Sequence, residues 1–282
     1  EEYDAQREYA LLGEGAVPGN STVPSATLHP SHADYEFIQR LDGGGQGEVW
    51  LVRHRPTGQD RAAKFVAQSQ VSPANCLRLK EEMRLMSSLG KHNHRVLLYD
   101  FLTDECFLTI IMEFVPGGSL RSRLARQGPF SWREALRIVA GVAEGLAEVH
   151  SRGVLHGDIK PANILLDTKT HTPLLCDFGL AVAVSNAQVV TGTPGYLAPE
   201  IADGEFCPKS DVFSLAATLY CLIVGKPPFA TTDLMESVRQ ARRGPATETL
   251  DLVPIAVRTL VARSLDPAPE NRPSLNEFLS QV

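Results

Sequence analysis

The feature that most limits the fold is a change of periodicity at Pro116-Gly117-Gly118. Before it, apolar and polar residues alternate with the period of half-buried strands. Strands are expected around the glycine cluster at 43–47, then over Val49–His54, Arg61–Val66, Val96–Leu102 and Phe107–Phe114. Pro56-Thr57-Gly58 supplies turn chemistry between the second and third. One segment of this half, Cys76 to Leu89, has apolar residues at helical spacing. After the break the pattern is helical, over Trp132–Arg152, Lys209–Val224, Thr232–Arg242 and Pro254–Ser264. Strands with one helix, then mostly helices, predict two lobes joined at a hinge of about 115–118 with a cleft between them.

Bulk properties remove several classes of function. The 282 residues suffice for one two-lobed domain. A net charge of −6 gives no basic field for nucleic acid or an anionic membrane. Five cysteines (76, 106, 176, 207 and 221) are odd in number and never in a C-x-x-C pair. They read as reduced thiols in a cytoplasmic setting rather than as a disulfide frame or zinc site. The longest apolar run, Leu108 to Val115, is broken by Glu113 and is too short for a membrane span. No signal peptide is visible, and a first residue other than Met suggests a piece of a larger protein, or its cytoplasmic domain. Glu1 to about Leu12 is expected as a short polar helix, and Gly13 to His32 as a linker. Together they make residues 1–33 an N-terminal extension. Its Ser21, Thr22, Ser25 and Thr27 read as solvated linker positions or autophosphorylation sites.

Five segments carry chemistry. In Leu41-Asp42-Gly43-Gly44-Gly45-Gln46-Gly47-Glu48-Val49, glycines let backbone N–H groups approach phosphate oxygens, although alone such a segment is more often just a flexible turn. Lys64 follows on an apolar strand and needs a partner if buried; Glu82 is the candidate, with Glu81 as the alternative. Alone, Lys64 reads as an exposed lysine at a sheet edge. His156-Gly157-Asp158-Ile159-Lys160-Pro161-Ala162-Asn163 packs an acid, a base and an amide into one loop between a helix and a strand pair. Asp158 can accept a hydroxyl proton, Lys160 can neutralise a phosphoryl group, and Asn163 offers a neutral oxygen to a hard cation. Asp177-Phe178-Gly179 adds a carboxylate, and Gly192-Thr193-Pro194 leads to Ala198-Pro199-Glu200.

In this order the segments resemble the eukaryotic-like (Hanks-type) serine/threonine protein kinase family, from about Tyr35 to the C-terminus. The resemblance implies an α+β, two-lobed protein kinase fold over residues 34–282. A small antiparallel-sheet N-lobe with one helix spans 34–115, a larger mainly helical C-lobe spans 116–282, and an ATP cleft lies between them. It implies that Lys64 holds the ATP phosphates and pairs with Glu82, that Asp158 is the base, and that Asn163 and Asp177 bind Mg²⁺, with Mn²⁺ as a substitute. Lys160 and Gly192-Thr193 look like the serine/threonine branch, with Thr193 bridging Asp158 and Lys160. Gly44 and Gly47 would cover the phosphates, with Gly43 and Gly45 adding flexibility to the same nucleotide-binding loop. Val49, Ala62 and Leu165 would wall the adenine, Met112 would be the gatekeeper, and backbone groups of Glu113 and Val115 would bond the base. Glu200 and Arg272 resemble a buried ion pair, and Asp211 an anchor of the catalytic loop. Expected partners are ATP and proteins bearing Ser or Thr, and a homodimer is compatible. The compact motifs and short loops look bacterial.

The sequence departs from the family at several points. Val49 fixes the glycine register, so the first signature glycine is Asp42, which predicts weaker ATP binding. Gly157 stands where the family usually has an arginine that meets an activation-loop phosphate. Activity is therefore expected not to depend on phosphorylation of that loop. Phe213 and Ala216, where tryptophan and glycine are common, read as packing changes. Two functions fit: an active kinase that also phosphorylates itself, or a pseudokinase or ATP-binding scaffold module. His92 and His94 read as packing rather than metal binding, His156 as a core histidine, and Ser119 as a ribose or substrate contact or a helix cap.

Overall fold

In the computed structural model the described residues are 32–44, 47–70, 80, 83, 84, 86, 87, 89–104, 106–178 and 192–282. The expected helix at Glu1–Leu12 and the linker before His32 lie outside them.

The first half is a five-stranded antiparallel sheet in the order β1-β2-β3-β5-β4. The strands are β1 Tyr35–Gly44, β2 Gly47–His54, β3 Gln59–Ala67, β4 Leu98–Thr103 and β5 Phe107–Glu113. β3 is the middle strand, and Ala62 to Val66 are buried without interruption. Alternation then sorts its side chains. Ala63 joins Tyr35, Val52 and Ile111 in a small outer cluster, whereas Ala62 and Val66 join the main core. Lys64 shares the parity of Ala62 and Val66, so it lies on the core side. Cross-strand pairing puts Val49 opposite Lys64, Lys64 opposite Ile110, and Ala62 opposite Met112. These residues therefore share one face of the sheet. Within the expected Cys76–Leu89 helix, Lys80, Met83, Arg84, Met86 and Ser87 are helical, and Met83 and Met86 are buried at helical spacing against the sheet.

The second half is helical: α1 Leu120–Gln127, α2 Trp132–His150, α3 Pro208–Val224, α4 Leu234–Arg243, α5 Thr247–Asp251, α6 Ile255–Ser264 and α7 Leu275–Leu279. A two-stranded sheet, β6 Ile164–Leu166 with β7 Pro173–Leu175, precedes α3. α3 is buried from Ser210 to Leu222 and forms the centre of this lobe. Helix starts follow capping chemistry: Ser131 accepts from Glu134 N at 3.3 Å, and Asp233 from Glu236 N at 2.7 Å. That cap is why α4 starts at Leu234, two residues inside the expected helix. Arg95 is 0% exposed and ties the halves together. It donates to the carbonyl oxygens of Met86 and Gly90 and lies 3.4 Å from Glu148 on α2. His94 packs into the same junction, where a Cβ on Gly141 would stand 2.6 Å from its ring. Among the described residues no helix is long and apolar enough to cross a membrane.

Candidate active site

The loop after α2 is held from below by Asp211 in the first turn of α3. Its buried carboxylate accepts from His156 N and Gly157 N, both at 2.9 Å, and meets His150 Nε2 at 2.7 Å. Burial alone would push this carboxyl up, but the hydrogen bond from His150 and those from the loop hold it below the usual aspartate range. His156 Nδ1 accepts from Asp158 N at 3.2 Å, which leaves Nε2 as the donor to Cys176 O at 2.8 Å. Its ring also meets Phe178 edge-on at 4.9 Å. His156 is thus a fully buried splint between the loop and the 176–178 segment. Gly157 has φ 76°, a left-handed conformation that costs an L side chain about 1–2 kcal/mol.

This support fixes the Asp158 carboxylate, which is 5% exposed. Lys160 Nζ donates to its Oδ2 at 2.6 Å and to Thr193 Oγ1 at 2.6 Å. Thr193 Oγ1 in turn donates to Asp158 Oδ1 at 3.0 Å. Asn163 Nδ2 donates to the Asp158 carbonyl at 2.8 Å and to Oδ2 at 3.1 Å. Burial pushes the Asp158 carboxyl up, but Lys160, with help from Thr193, leaves it below the ordinary aspartate range. It is therefore an ionised acceptor at neutral pH.

β6 and β7 bring the next pair together. Ile164 lies opposite Leu175, and the ladder continues with Cys176 N donating to Asn163 O at 2.9 Å. Asp177, the next residue, adopts φ 63°, unusual for a side-chain-bearing residue. Its Oδ2 lies 2.9 Å from Nζ of Lys64, which is buried on β3. Lys64 therefore has a carboxylate partner from the second half of the chain. Glu82, its expected partner, and the alternative Glu81 lie outside the described residues. An amide oxygen and a carboxylate on adjoining chain segments make a hard donor set. Among the described residues no group of three or more His, Cys, Asp or Glu could hold a metal alone. Two oxygen donors completed by substrate phosphates is the pattern that suits Mg²⁺, so Asn163 and Asp177 fit such an ion.

Of the positions expected around the adenine, Val49, Ala62 and Met112 share one face of the five-stranded sheet. Ala62, Met112 and Val115 are buried, and Val49 and Leu165 pack beside them. Glu113 N donates to Leu97 O at 2.8 Å, and Val115 O accepts from Gly118 N at 3.3 Å. These bonds occupy one group of each residue, while Val115 N makes no backbone hydrogen bond among the described residues. Ser119 caps α1, accepting from Ser122 N at 3.2 Å. In the glycine turn, Gly43 pairs with Glu48 and Gly44 with Gly47; Gly45 lies outside the described residues. Asp42, within β1 and opposite Val49, accepts at Oδ1 from Gly43 N at 2.8 Å. Gly47 has φ 111°, and a Cβ there would clash with the Phe65 carbonyl.

Below the site, Arg272 forks onto Glu200 through Nη1 and Nη2 at 2.6 and 2.8 Å. It also donates to the carbonyls of Asp266, Lys209 and Pro267. Its guanidinium lies 4.9 Å over Phe213, which stacks on Phe229, so Phe213 has a definite packing role. Sequence reasoning did not single out Ser214 and Thr218, whose hydroxyls hold Tyr196 O and Ile159 O at 2.8 and 3.3 Å, or His150 and Arg95. Hydroxyls on a buried helix carry no motif that would mark them.

Comparison with known proteins agrees with this arrangement. Residues 35–282 match the family model described as the protein kinase domain. Calcium-dependent protein kinase 7 of Arabidopsis thaliana is 29% identical over 289 residues, covering 98% of this chain and 53% of the relative. Calcium-dependent protein kinase 5 of Oryza sativa subsp. japonica is 32% identical over 263 residues, covering 89% and 47%. Calcium/calmodulin-dependent protein kinase type II of Caenorhabditis briggsae is 30% identical over 256 residues, covering 87% and 48%. The chain thus spans about half the length of the curated relatives it matches. Among solved structures, Rad53 residues 1–466 in complex with AMP-PNP superposes with a TM-score of 0.76 at 25% identity, covering 88% of this chain and 64% of that one. On its fold, its site geometry and these matches, the chain belongs to the protein kinase domain family.

Proposed function

We propose that residues 34–282 form an active serine/threonine protein kinase that moves the γ-phosphate of ATP to a protein hydroxyl and also phosphorylates itself. The observation that carries this is the buried, ionised Asp158, held by Lys160, Thr193 and Asn163 at hydrogen-bond distance. An acceptor hydroxyl placed at Asp158 gives its proton to the carboxylate as its oxygen bonds to phosphorus and the bond to the ADP oxygen breaks. Lys160 Nζ stands 2.6 Å from Asp158 and can shift its charge onto the transferring phosphoryl group. Lys64, held by Asp177, supplies the cation for the nucleotide phosphates. Asn163 and Asp177 would hold Mg²⁺, or Mn²⁺ in its place, and that ion would neutralise phosphate charge. Ala62, Met112, Val115 and Leu165 offer the apolar walls for the base, with Glu113 O and Val115 N as its backbone partners.

Incubation with Mg²⁺ and γ-labelled ATP is expected to place label on serine and threonine. Label on tyrosine alone, or ATP binding without label, would replace this reading with another specificity or with a scaffold module.

Gly157 offers no side chain to an activation-loop phosphate, which supports activity independent of loop phosphorylation. Ser185→Ala with Thr191→Ala is then expected to leave the rate nearly unchanged. A hundredfold loss would sink that regulatory reading.

A further inference from the structure

Resting on the kinase reading above, we propose that the domain selects acceptor segments with acidic side chains, recognised by Arg121 and Lys226. α1 packs on the 161–163 turn that follows Lys160, which sets Arg121, exposed in the first turn of α1, beside the catalytic loop. The C-terminal end of the same unit continues the surface. A Cβ on Gly225 would stand 3.2 Å from Pro129, and one on Gly195 would stand 2.6 Å from Pro227. Gly195 N also donates to Ser237 Oγ at 2.7 Å. The 192–197 strip, which carries Thr193, therefore runs between α1 and the exposed Lys226. Burial raises the Tyr196 phenol strongly while the Arg121 guanidinium acts against it, which marks how near Arg121 lies to this strip.

The charges of these elements do not cancel. α1 contains no acidic residue. Glu134 pairs with Arg123, Glu200 with Arg272, Asp203 with Arg242 and Glu236 with Arg239, while Asp233 caps α4. Residues 179–191 contain no charged side chain at all. Among the described residues neither Arg121 nor Lys226 has a carboxylate partner. A chain with a net charge of −6 thus presents two uncommitted cations on either side of the strip that carries Thr193. Exposed charge pairs of this kind change affinity by about two- to fivefold each. They discriminate more strongly against like charge than they add for the right partner.

The test uses serine peptides identical except for Glu, Ala or Lys on both sides of the acceptor. kcat/KM is measured at low and high salt for the unmutated chain and for Arg121→Glu with Lys226→Glu. The Glu peptide is expected to exceed the Lys peptide by roughly tenfold, the ratio shrinking with salt and inverting in the double variant. An unmutated preference for the Lys peptide, or a ratio that the double variant leaves unchanged, would overturn the inference. If no peptide is phosphorylated, fluorescence anisotropy with the same labelled peptides separates the two claims. Binding of the Glu peptide over the Lys peptide keeps the charge selection and removes the kinase reading, whereas equal binding removes the charge selection.

Discussion

Removing Glu200 should expose how the helical half is held together. Arg272 is 1% exposed and uses every guanidinium donor: three bonds go to main-chain carbonyls and two to the Glu200 carboxylate. Glu200→Ala leaves the carbonyl bonds but strands a buried positive charge and frees Ser210 Oγ, which donates to Glu200 at 2.6 Å. Breaking one side of a buried pair costs about 3–5 kcal/mol. With an m-value of about 3 kcal/mol/M, the urea midpoint is expected to fall by roughly 1–1.7 M. Replacing both partners, Glu200→Ala with Arg272→Met, removes the stranded charge. The double variant should therefore recover at least about 1 kcal/mol relative to the sum of the single losses. Equilibrium urea unfolding followed by tryptophan fluorescence and circular dichroism measures all four proteins. A loss below about 1 kcal/mol for Glu200→Ala, or single losses that simply add, would refute the reasoning.

Two further outcomes follow from named groups. Gly47→Ala forces a side chain onto a backbone at φ 111° and against the Phe65 carbonyl, next to Lys64. It is expected to raise the KM for ATP more than it lowers kcat, and an unchanged KM would count against the role given to the glycine turn. Asp158, Glu200 and Asp211 all have carboxyls held below their usual range in the fold. Below the unfolded values of about 3.9 for Asp and 4.3 for Glu, the unfolded chain binds more protons, so the stability these groups confer is full above that point and is lost as pH falls through the folded values. Asp211→Asn should flatten that acid limb in pH-dependent unfolding; an unaltered limb would mean that Asp211 does not contribute to it.

How much of this was legible in the sequence depends on the range of the interaction. β2 and β3 follow from alternation, β5 from a short apolar run, and α2 and α3 from long helical periods, because each buries a face or more. α5 and α7 have too few residues for a period to show. The order of Lys64, Asp158, Lys160, Asn163, Asp177 and Thr193 was readable because phosphoryl transfer needs those side chains, and the structure brings them together. Arg95 was not readable. A charged residue normally reads as surface, and what buries this one is carbonyls of Met86 and Gly90 with Glu148 far along the chain. Gly141 and Gly145 weaken a helix on propensity alone, and the close approach of the His94 ring and Pro173 to the first and of the His94 backbone to the second explains their presence. The contact of the Asp42 carboxylate with Gly43 N has no signature in the sequence pattern, which marks Asp42 only as a departure in the glycine segment.

The central claim, turnover at Asp158, is tested most directly by single-turnover transfer of γ-labelled phosphate in Mg²⁺. The unmutated chain would be compared with Asp158→Asn and Lys64→Met, with folding checked by circular dichroism and ATP binding by thermal shift. The expected result is rapid labelling of serine and threonine in the unmutated chain and at least a hundredfold slower labelling in both variants (on the scale of about 10²–10⁴ for a lost general base), with Asp158→Asn still folded and still binding ATP. Equal labelling by Asp158→Asn, or no labelling by an unmutated chain that binds ATP, would contradict it.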